Sequence, residues 1–217
     1  MNSRSAYRGV RRTRSREALL GAAEELFGAQ RFGTVSIDDI VDRAGVGKGT
    51  FYNHFTGKDD IGRHLALEIR YEVRDRIAPL KNVSSDPAVH LAIAIALFLD
   101  LARVRPHRAR ILSMMLAGAS NADAEMNRRL RGTLEAGLAC GRFDFRSIEA
   151  AVTIVIGIVS AGIRDILNKR SCTSDASVVE LIVHALVALG VARHDAEMLS
   201  DLYLSEALYR GAGVSTP

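Results

Sequence analysis

The chain of 217 residues is 48% hydrophobic, so it can bury one larger core or two smaller ones. Its formal net charge of +4 suits a nucleic-acid partner without establishing one. Cys140 and Cys172 lack CxxC or Cys/His ligand spacing, which argues against a zinc site and is typical of a protein in the reducing cytoplasm.

The chain begins with a basic segment, and we predict a flexible arm over residues 1–13. The first sixteen residues contain no acidic side chain and six arginines, which are Arg4, Arg8, Arg11, Arg12, Arg14 and Arg16. Such a segment is mobile in isolation and attracted to polyanions. Two interpretations stay open, namely contact with DNA phosphates or the minor groove, and a disordered tail. No apolar run follows the basic segment, so it does not resemble a signal peptide.

A short helix ending at Ala44 is predicted next. Ser36 followed three residues later by Asp39 is a capping-box-like start, and apolar residues follow at helical spacing. Gly45 then stands where a left-handed turn favours a residue without a β-carbon. Val46 supplies an apolar contact between this helix and the next. The pattern therefore predicts a helix-turn-helix.

The second helix of this pair is expected to begin near Gly47 or Lys48. At 100° per residue, Phe51 and Phe55 point inward. The outward face and its borders carry small, hydroxyl, aromatic and basic side chains, which are Lys48, Gly49, Thr50, Tyr52, Asn53 and His54. A face of this kind fits the major groove of double-stranded DNA. We therefore predict a helix-turn-helix DNA-binding domain over residues 14–57.

This stretch resembles the N-terminal domain of the TetR family of transcriptional regulators. The resemblance covers roughly residues 14–67 and depends on four segments, which are Arg16 to Phe27, Phe32 to Ser36, Ala44 to Phe55 and Lys58 to Asp60. It implies a sequence-specific DNA-binding regulator, and a repressor is the commoner type in the family.

The resemblance also implies roles for individual residues. Lys48, Gly49 and Thr50 would approach base edges, and phosphates would be contacted by Ser36, Tyr52, His54 and Lys58. Hydroxyls and cations satisfy phosphate oxygens and fix the register, whereas only groups at the groove floor distinguish bases. Two of these side chains also fit simpler roles, as a packing aromatic for Tyr52 and an ordinary surface residue for His54.

Beyond residue 57 the chain is predicted to be all-α, with a larger ligand-binding and dimerisation domain over residues 58–217. Turn-forming residues separate apolar-faced segments, and helices are expected at about 58–78, 87–104, 107–117, 122–139, 147–169, 176–189 and 194–209. The longest apolar stretch, Ala150 to Ile163, is too short to span a bilayer. We therefore expect a buried helix there and no membrane partner.

The resemblance implies a homodimer in which the last long helices of each subunit form a four-helix bundle. Gly157, Ser160 and Ala161 offer a small surface on which another helix can lie close. The same residues also fit the buried centre of a single subunit. A dimer would place two recognition helices about one DNA turn apart, which matches a palindromic operator.

Also implied is an effector pocket between the helices of the larger domain. The candidate lining residues are Phe98, Ile111, Leu112, Met114, Met115, Ile156 and Ser160, and the candidate polar anchors are His64 and Arg164. Adjacent methionines suit an adaptable apolar cavity, so we expect a small apolar or amphipathic effector. Each of these side chains is also compatible with ordinary core packing.

Two other functions compete with this prediction. An enzyme is disfavoured because the six histidines show no metal-ligand spacing, and because we find no phosphate loop, nucleophile elbow or dinucleotide fingerprint. No catalytic residue, metal or cofactor is therefore expected. A dimeric DNA-binding regulator controlled by a protein partner, or without any ligand, stays compatible with the sequence.

Overall fold

The computed structural model describes residues 3–30, 32–78, 84–118, 124–168 and 174–200. Over these ranges the chain contains no strand, and nine helices have both ends described: α1 (Ser3–Ala29), α2 (Ile37–Ala44), α3 (Lys48–Tyr52), α4 (Lys58–Ile77), α5 (Pro87–Val104), α6 (Pro106–Gly118), α7 (Ala124–Ala139), α8 (Ile148–Leu167) and α9 (Asp175–Ala188). Residues 193–200 are also helical, and the remainder of the helix predicted at 194–209 lies outside the described residues. The all-α prediction is confirmed.

Helix α1 is longer than predicted. The sequence suggested a helix near Arg16 after a flexible arm, but α1 begins at Ser3. The added segment contains no proline, and arginine and alanine are good helix formers. Because the later turns of α1 are held by packing, each preceding residue extends an existing helix without a new nucleus. The flexible arm predicted over residues 1–13 is therefore corrected to a helical extension that starts at residue 3.

Helices α1 to α3 and the start of α4 enclose the apolar centre of an N-terminal unit, which we call the head. The largest fully buried side chains in it include Leu19, Phe27, Ile40, Phe51 and Phe55. The first four lie on α1, α2 and α3, and Phe55 follows α3, so each helix covers an apolar face that the others expose. The short α3, with five residues, is held in place by this packing and not by its own helix propensity.

Helices α4 to α9 form the larger part, which we call the body. Helix α5 is its centre, because it packs against α4, α6, α7, α8 and α9. By length and composition alone, α5 and α8 are apolar enough to cross a membrane. The packing accounts for this composition in α5, where 61% of the most apolar window is buried inside the body. In α8 only 44% of the corresponding window is buried, because one side of that helix stays exposed.

The head and the body meet where the end of α1 crosses α6. A β-carbon placed on Gly28 would lie 2.6 Å from the β-carbon of His107, so only glycine permits this close approach. The guanidinium of Arg110 donates a hydrogen bond to the carbonyl oxygen of Gly28. Arg108 lies between two acids. Its Nε is 3.2 Å from the carboxylate of Glu24 on α1, and its Nη1 forms an ion pair with Glu72 on α4. Helix α6 therefore contacts both helices that carry the head.

Candidate nucleic-acid interface

The turn between α2 and α3 has the predicted geometry. Ser36 and Asp39 form a reciprocal capping box, in which the Asp39 amide donates to the Ser36 hydroxyl and the Ser36 amide donates to the Asp39 carboxylate. The Ser36 hydroxyl and the Ser36 amide both donate to the Asp39 carboxylate and hold the pKa of Asp39 below its usual range. Gly45 has φ 65° and ψ 34°, a left-handed conformation that a β-carbon disfavours. The turn therefore fixes where α3 begins relative to α2.

Helix α3 divides its side chains between the core and the surface. Phe51 is completely buried and Phe55 is 1% exposed, as the helical spacing predicted. Tyr52, the next residue after Phe51, is 53% exposed and meets the Phe51 ring edge-on at 5.4 Å between centroids. Most of this tyrosine, including the side away from Phe51, is therefore available to a partner.

Gly49 on the exposed side of α3 has no structural reason to be glycine. A β-carbon built on it would meet no atom within 4 Å, and its φ does not lie in the left-handed range. Glycine inside a helix costs about 1 kcal/mol relative to alanine. The missing side chain therefore does not stabilise the fold. It would instead allow a partner surface to approach α3 closely.

Lys48, at the start of α3, is paired with an acid of α2. Its Nζ lies 2.7 Å from the Asp38 carboxylate, and both side chains are more than half exposed. The hydrogen bond and the charge of Asp38 raise the pKa of Lys48 above its usual value. This pairing keeps the lysine charged and directs it along the exposed side of the helix-turn-helix. The sequence prediction did not include Asp38, which lies ten residues away in the chain.

Lys58 has a structural role that differs from the predicted phosphate contact. Its Nζ donates two hydrogen bonds of 2.8 Å, one to the carbonyl oxygen of Phe32 and one to that of Val35. The same ammonium group lies 4.8 Å from the centroid of the Phe32 ring. Lys58 therefore ties the start of α4 to the connection between α1 and α2. Only one of its three N–H groups stays available to a phosphate.

His54, which follows α3, contacts α1. Its Nε2 lies 2.9 Å from the hydroxyl of Ser15, and the imidazole is half-buried. Burial lowers the pKa of His54 below its usual value, and the positive charges of Arg12 and Arg16 lower it further. These surroundings therefore favour the neutral imidazole. This arrangement also places Arg12 near His54, whereas the sequence assigned Arg12 only to the basic segment.

This arrangement of helices agrees with comparisons to known proteins. A family described as bacterial regulatory proteins, tetR family, matches residues 19–65. This range includes the later turns of α1, all of α2 and α3, and the start of α4. The N-terminal part of the chain is therefore a TetR-family DNA-binding domain. Members of the TetR family are DNA-binding transcription factors and not enzymes.

Individual relatives agree with this assignment. The HTH-type transcriptional regulator LmrA of Bacillus subtilis (strain 168) is 33% identical over 75 residues, which are 34% of this chain and 40% of LmrA. The structure of RolR in complex with resorcinol matches with a TM-score of 0.65 at 23% identity, over 88% of this chain and 94% of RolR. A gamma-butyrolactone receptor described as ArpA-like matches with a TM-score of 0.55 at 17% identity, over 91% of this chain and 99% of the receptor. The last two show that the TetR fold extends through the body.

The residues predicted to line an effector pocket lie in different places. Ile111 and Leu112 are completely buried and belong to the core, and Ser160 is 5% exposed. Three other predicted residues are partly buried and pack against the core, namely Phe98, Met114 and Ile156. Met115 reaches α4, because its sulfur would lie 3.1 Å from a β-carbon on Gly62.

Neither of the predicted polar anchors lies in the centre of the body. His64 belongs to the head, with its ring edge-on to Phe55 at 5.5 Å and its Nδ1 3.4 Å from Arg16. Arg164 is exposed on the outer side of α8. For Arg164, helical spacing could not distinguish inner from outer positions, because α8 is apolar on nearly all sides. The anchoring roles of His64 and Arg164 stay predictions.

Proposed function

We propose that this TetR-family protein is a cytoplasmic transcriptional regulator that binds a palindromic operator as a homodimer and is released by a small effector. The observation that supports this best is the outer side of α3, where Lys48 and Tyr52 are exposed and Gly49 leaves room for close approach. A fully buried Phe51 behind them holds the helix rigidly. A rigid helix with a polar, partly cationic outer side suits the major groove.

The exposed groups divide into two kinds of DNA contact. Lys48 and Thr50, at the start of α3, are assigned to base edges, with Gly49 permitting the approach. Tyr52, Ser36 and His54 are assigned to phosphates, and Lys58 contributes at most one N–H. Because burial and the neighbouring arginines favour the neutral imidazole, His54 is assigned as a hydrogen-bond donor to a phosphate and not as a source of charge. Most of the ionic attraction must then come from other residues.

The helical extension of α1 is the best source of that attraction. The end of α1 is fixed to α6 of the body, and its middle packs on α2, α3 and α4. Its first turns therefore leave the head on the side away from the body, where DNA lies in this proposal. Residues 3–15 extend about 20 Å as a helix, which is enough to follow several base pairs beyond the half-site. Arg11, Arg12 and Arg14 are exposed on it.

Replacing Arg12 by alanine tests this role. Each phosphate contact contributes about 0.9 to the slope of log affinity against log salt, so a dimer should lose about 2 from that slope. Operator binding measured by fluorescence anisotropy between low and moderate salt gives the slope directly. The matched control is Arg128→Ala on α7, which packs on α5 and α8 and lies in the body. Equal slopes for the two variants would remove Arg12 from the interface.

A homodimer is supported by the outer sides of α8 and α9. Ile154 on α8 and Val187 on α9 are each 37% exposed, and exposed apolar residues on neighbouring helices are typical of an interaction surface. Gly157 and Ala161 are exposed on α8 as well, so a second helix can approach it closely. Ser160, which the sequence grouped with them, is buried and faces the body instead. Pairing two subunits here presents two α3 helices to one palindrome and multiplies weak half-site affinities.

Effector control is proposed as reciprocal coupling. DNA favours the spacing of the two heads that fits the operator, and an effector in the body favours another spacing. A ligand that binds the second state about a hundredfold better shifts the balance by roughly 2.7 kcal/mol per site. The structures of RolR with resorcinol and of the gamma-butyrolactone receptor support a small effector of low charge. Helix α6, in contact with α1 and α4, is the connection between effector and head.

A selection from a pool of randomised duplexes tests the proposed function. The wild-type protein is expected to enrich a palindrome whose half-sites are about one helical turn apart. Thr50→Ser and Lys48→Arg are expected to change the preferred bases at the inner positions of each half-site. The proposal is contradicted if the wild type enriches no sequence, and the base assignments are contradicted if both variants enrich the wild-type palindrome.

A further inference from the structure

The inner sides of α7 and α8 carry two polar groups without partners. Asn127 on α7 is 2% exposed and Ser160 on α8 is 5% exposed. The side-chain oxygen of each is buried and has no hydrogen-bond partner among the residues that the structure describes. Buried polar groups are nearly always hydrogen-bonded, because burial removes them from water without compensation. Two such neutral groups in one domain call for an explanation.

The connection between the two helices brings these residues to the same level. Helix α7 packs on α8, and the short segment 140–147 joins them, so the pair is antiparallel. Asn127 lies 12 residues before the end of α7, and Ser160 lies 12 residues after the start of α8. Each is about 18 Å from the connection along its helix. The two residues therefore lie at the same level along the α7–α8 pair.

The surroundings of this layer are apolar. The buried residues of α8 near Ser160 are Val155, Val159 and Ile163, and Ile156 lies one turn before it. On α7, Leu134 is the completely buried residue on the same side as Asn127. One turn after each polar residue lies an arginine, but Arg131 is paired with Glu149 at 3.0 Å and Arg164 is exposed. A charged ligand would therefore find no buried, unpaired counter-ion on these two helices, whereas a neutral one loses little on entering.

We propose that Asn127 and Ser160 bind the hydroxyl group of a neutral, mainly apolar effector. A hydroxyl donates one hydrogen bond and accepts another. It donates to the amide oxygen of Asn127 and accepts from the hydroxyl of Ser160, so one ligand group satisfies both. This inference rests on the proposed effector control and adds the chemical class of the effector and its two polar contacts.

The test compares three variants of the full-length protein. Asn127→Leu and Ser160→Ala each remove an unpaired polar group, whereas the control Ser200→Ala removes a buried hydroxyl that donates to the carbonyl of Ala196 at 2.7 Å. Without ligand, the first two variants are expected to unfold at a temperature equal to the wild type or about 2–4 °C higher. The control is expected to unfold at a lower temperature. Lower unfolding temperatures for Asn127→Leu and Ser160→Ala would assign these groups to structure and overturn the proposal.

Ligand binding is then measured with phenol, resorcinol and 1-naphthol, each beside its counterpart without a hydroxyl group, benzene or naphthalene. At least one hydroxylated probe is expected to raise the unfolding temperature of the wild type more than its counterpart, and Asn127→Leu is expected to lose that difference. No preference in any pair would also overturn the proposal. Operator affinity of all variants without probe stays at the wild-type value, so a failure of this inference is distinguishable from a failure of DNA binding.

Discussion

Replacing Phe51 by alanine is expected to lower the free energy of unfolding by about 3–5 kcal/mol, because the ring is completely buried between α3 and the rest of the head. Chemical denaturation measures this change. Operator binding is expected to disappear with it, since α3 has only five residues and depends on this packing. Both losses come from one side chain that never contacts DNA.

The neighbouring residue provides the matched control. Tyr52→Ala removes a side chain that is 53% exposed, so the free energy of unfolding should change by no more than about 0.5 kcal/mol. Its lost hydrogen bond to a phosphate is worth about 1.5 kcal/mol per subunit, so a dimer should bind the operator roughly a hundredfold more weakly. Equal stability losses for the two variants, or unchanged operator affinity for Tyr52→Ala, would contradict the assignment of inner and outer sides.

Replacing Gly28 by alanine is expected to separate the head from the body. The new β-carbon would lie 2.6 Å from the β-carbon of His107, which cannot move without α6. Overpacking of this kind costs about 1–3 kcal/mol, measurable by urea denaturation. Because α6 also contacts α4, the displacement should alter the position of the heads and weaken operator binding.

Gly21 provides the control on the same helix. A β-carbon there would meet no atom within 4 Å, so Gly21→Ala should raise the free energy of unfolding by up to about 1 kcal/mol and leave operator binding unchanged. If Gly28→Ala is as stable as Gly21→Ala, the close approach of α1 and α6 does not hold the head in place.

The sequence was sufficient for the local structure of the helix-turn-helix. Ser36, Asp39 and Gly45 act through hydrogen bonds and backbone angles within a few residues, and the structure confirms the capping box and the left-handed turn. Phe51 and Phe55 are buried as their helical spacing predicted. Such features depend on near neighbours in the chain, so residue types and spacing are enough to predict them.

Contacts between distant segments could not be predicted in this way. The pairing of Lys58 with the carbonyls of Phe32 and Val35 joins segments more than twenty residues apart, and so does the contact of His54 with Ser15. The positions of His64 and Arg164 could not be predicted for the same reason, because they depend on which helices pack around these residues. In α8, apolar residues on nearly every side gave the sequence no signal to distinguish the face toward the body from the face toward a partner.

The central claim, that the outer side of α3 binds specific DNA, is tested most directly by competition. The purified protein is bound to a labelled duplex carrying the selected palindrome, and unlabelled random-sequence duplex is added in roughly thousandfold excess while anisotropy is recorded. We predict that the complex persists with two subunits per duplex, and that the Tyr52→Ala protein is displaced. Complete displacement of the wild-type protein by the random duplex would contradict the account.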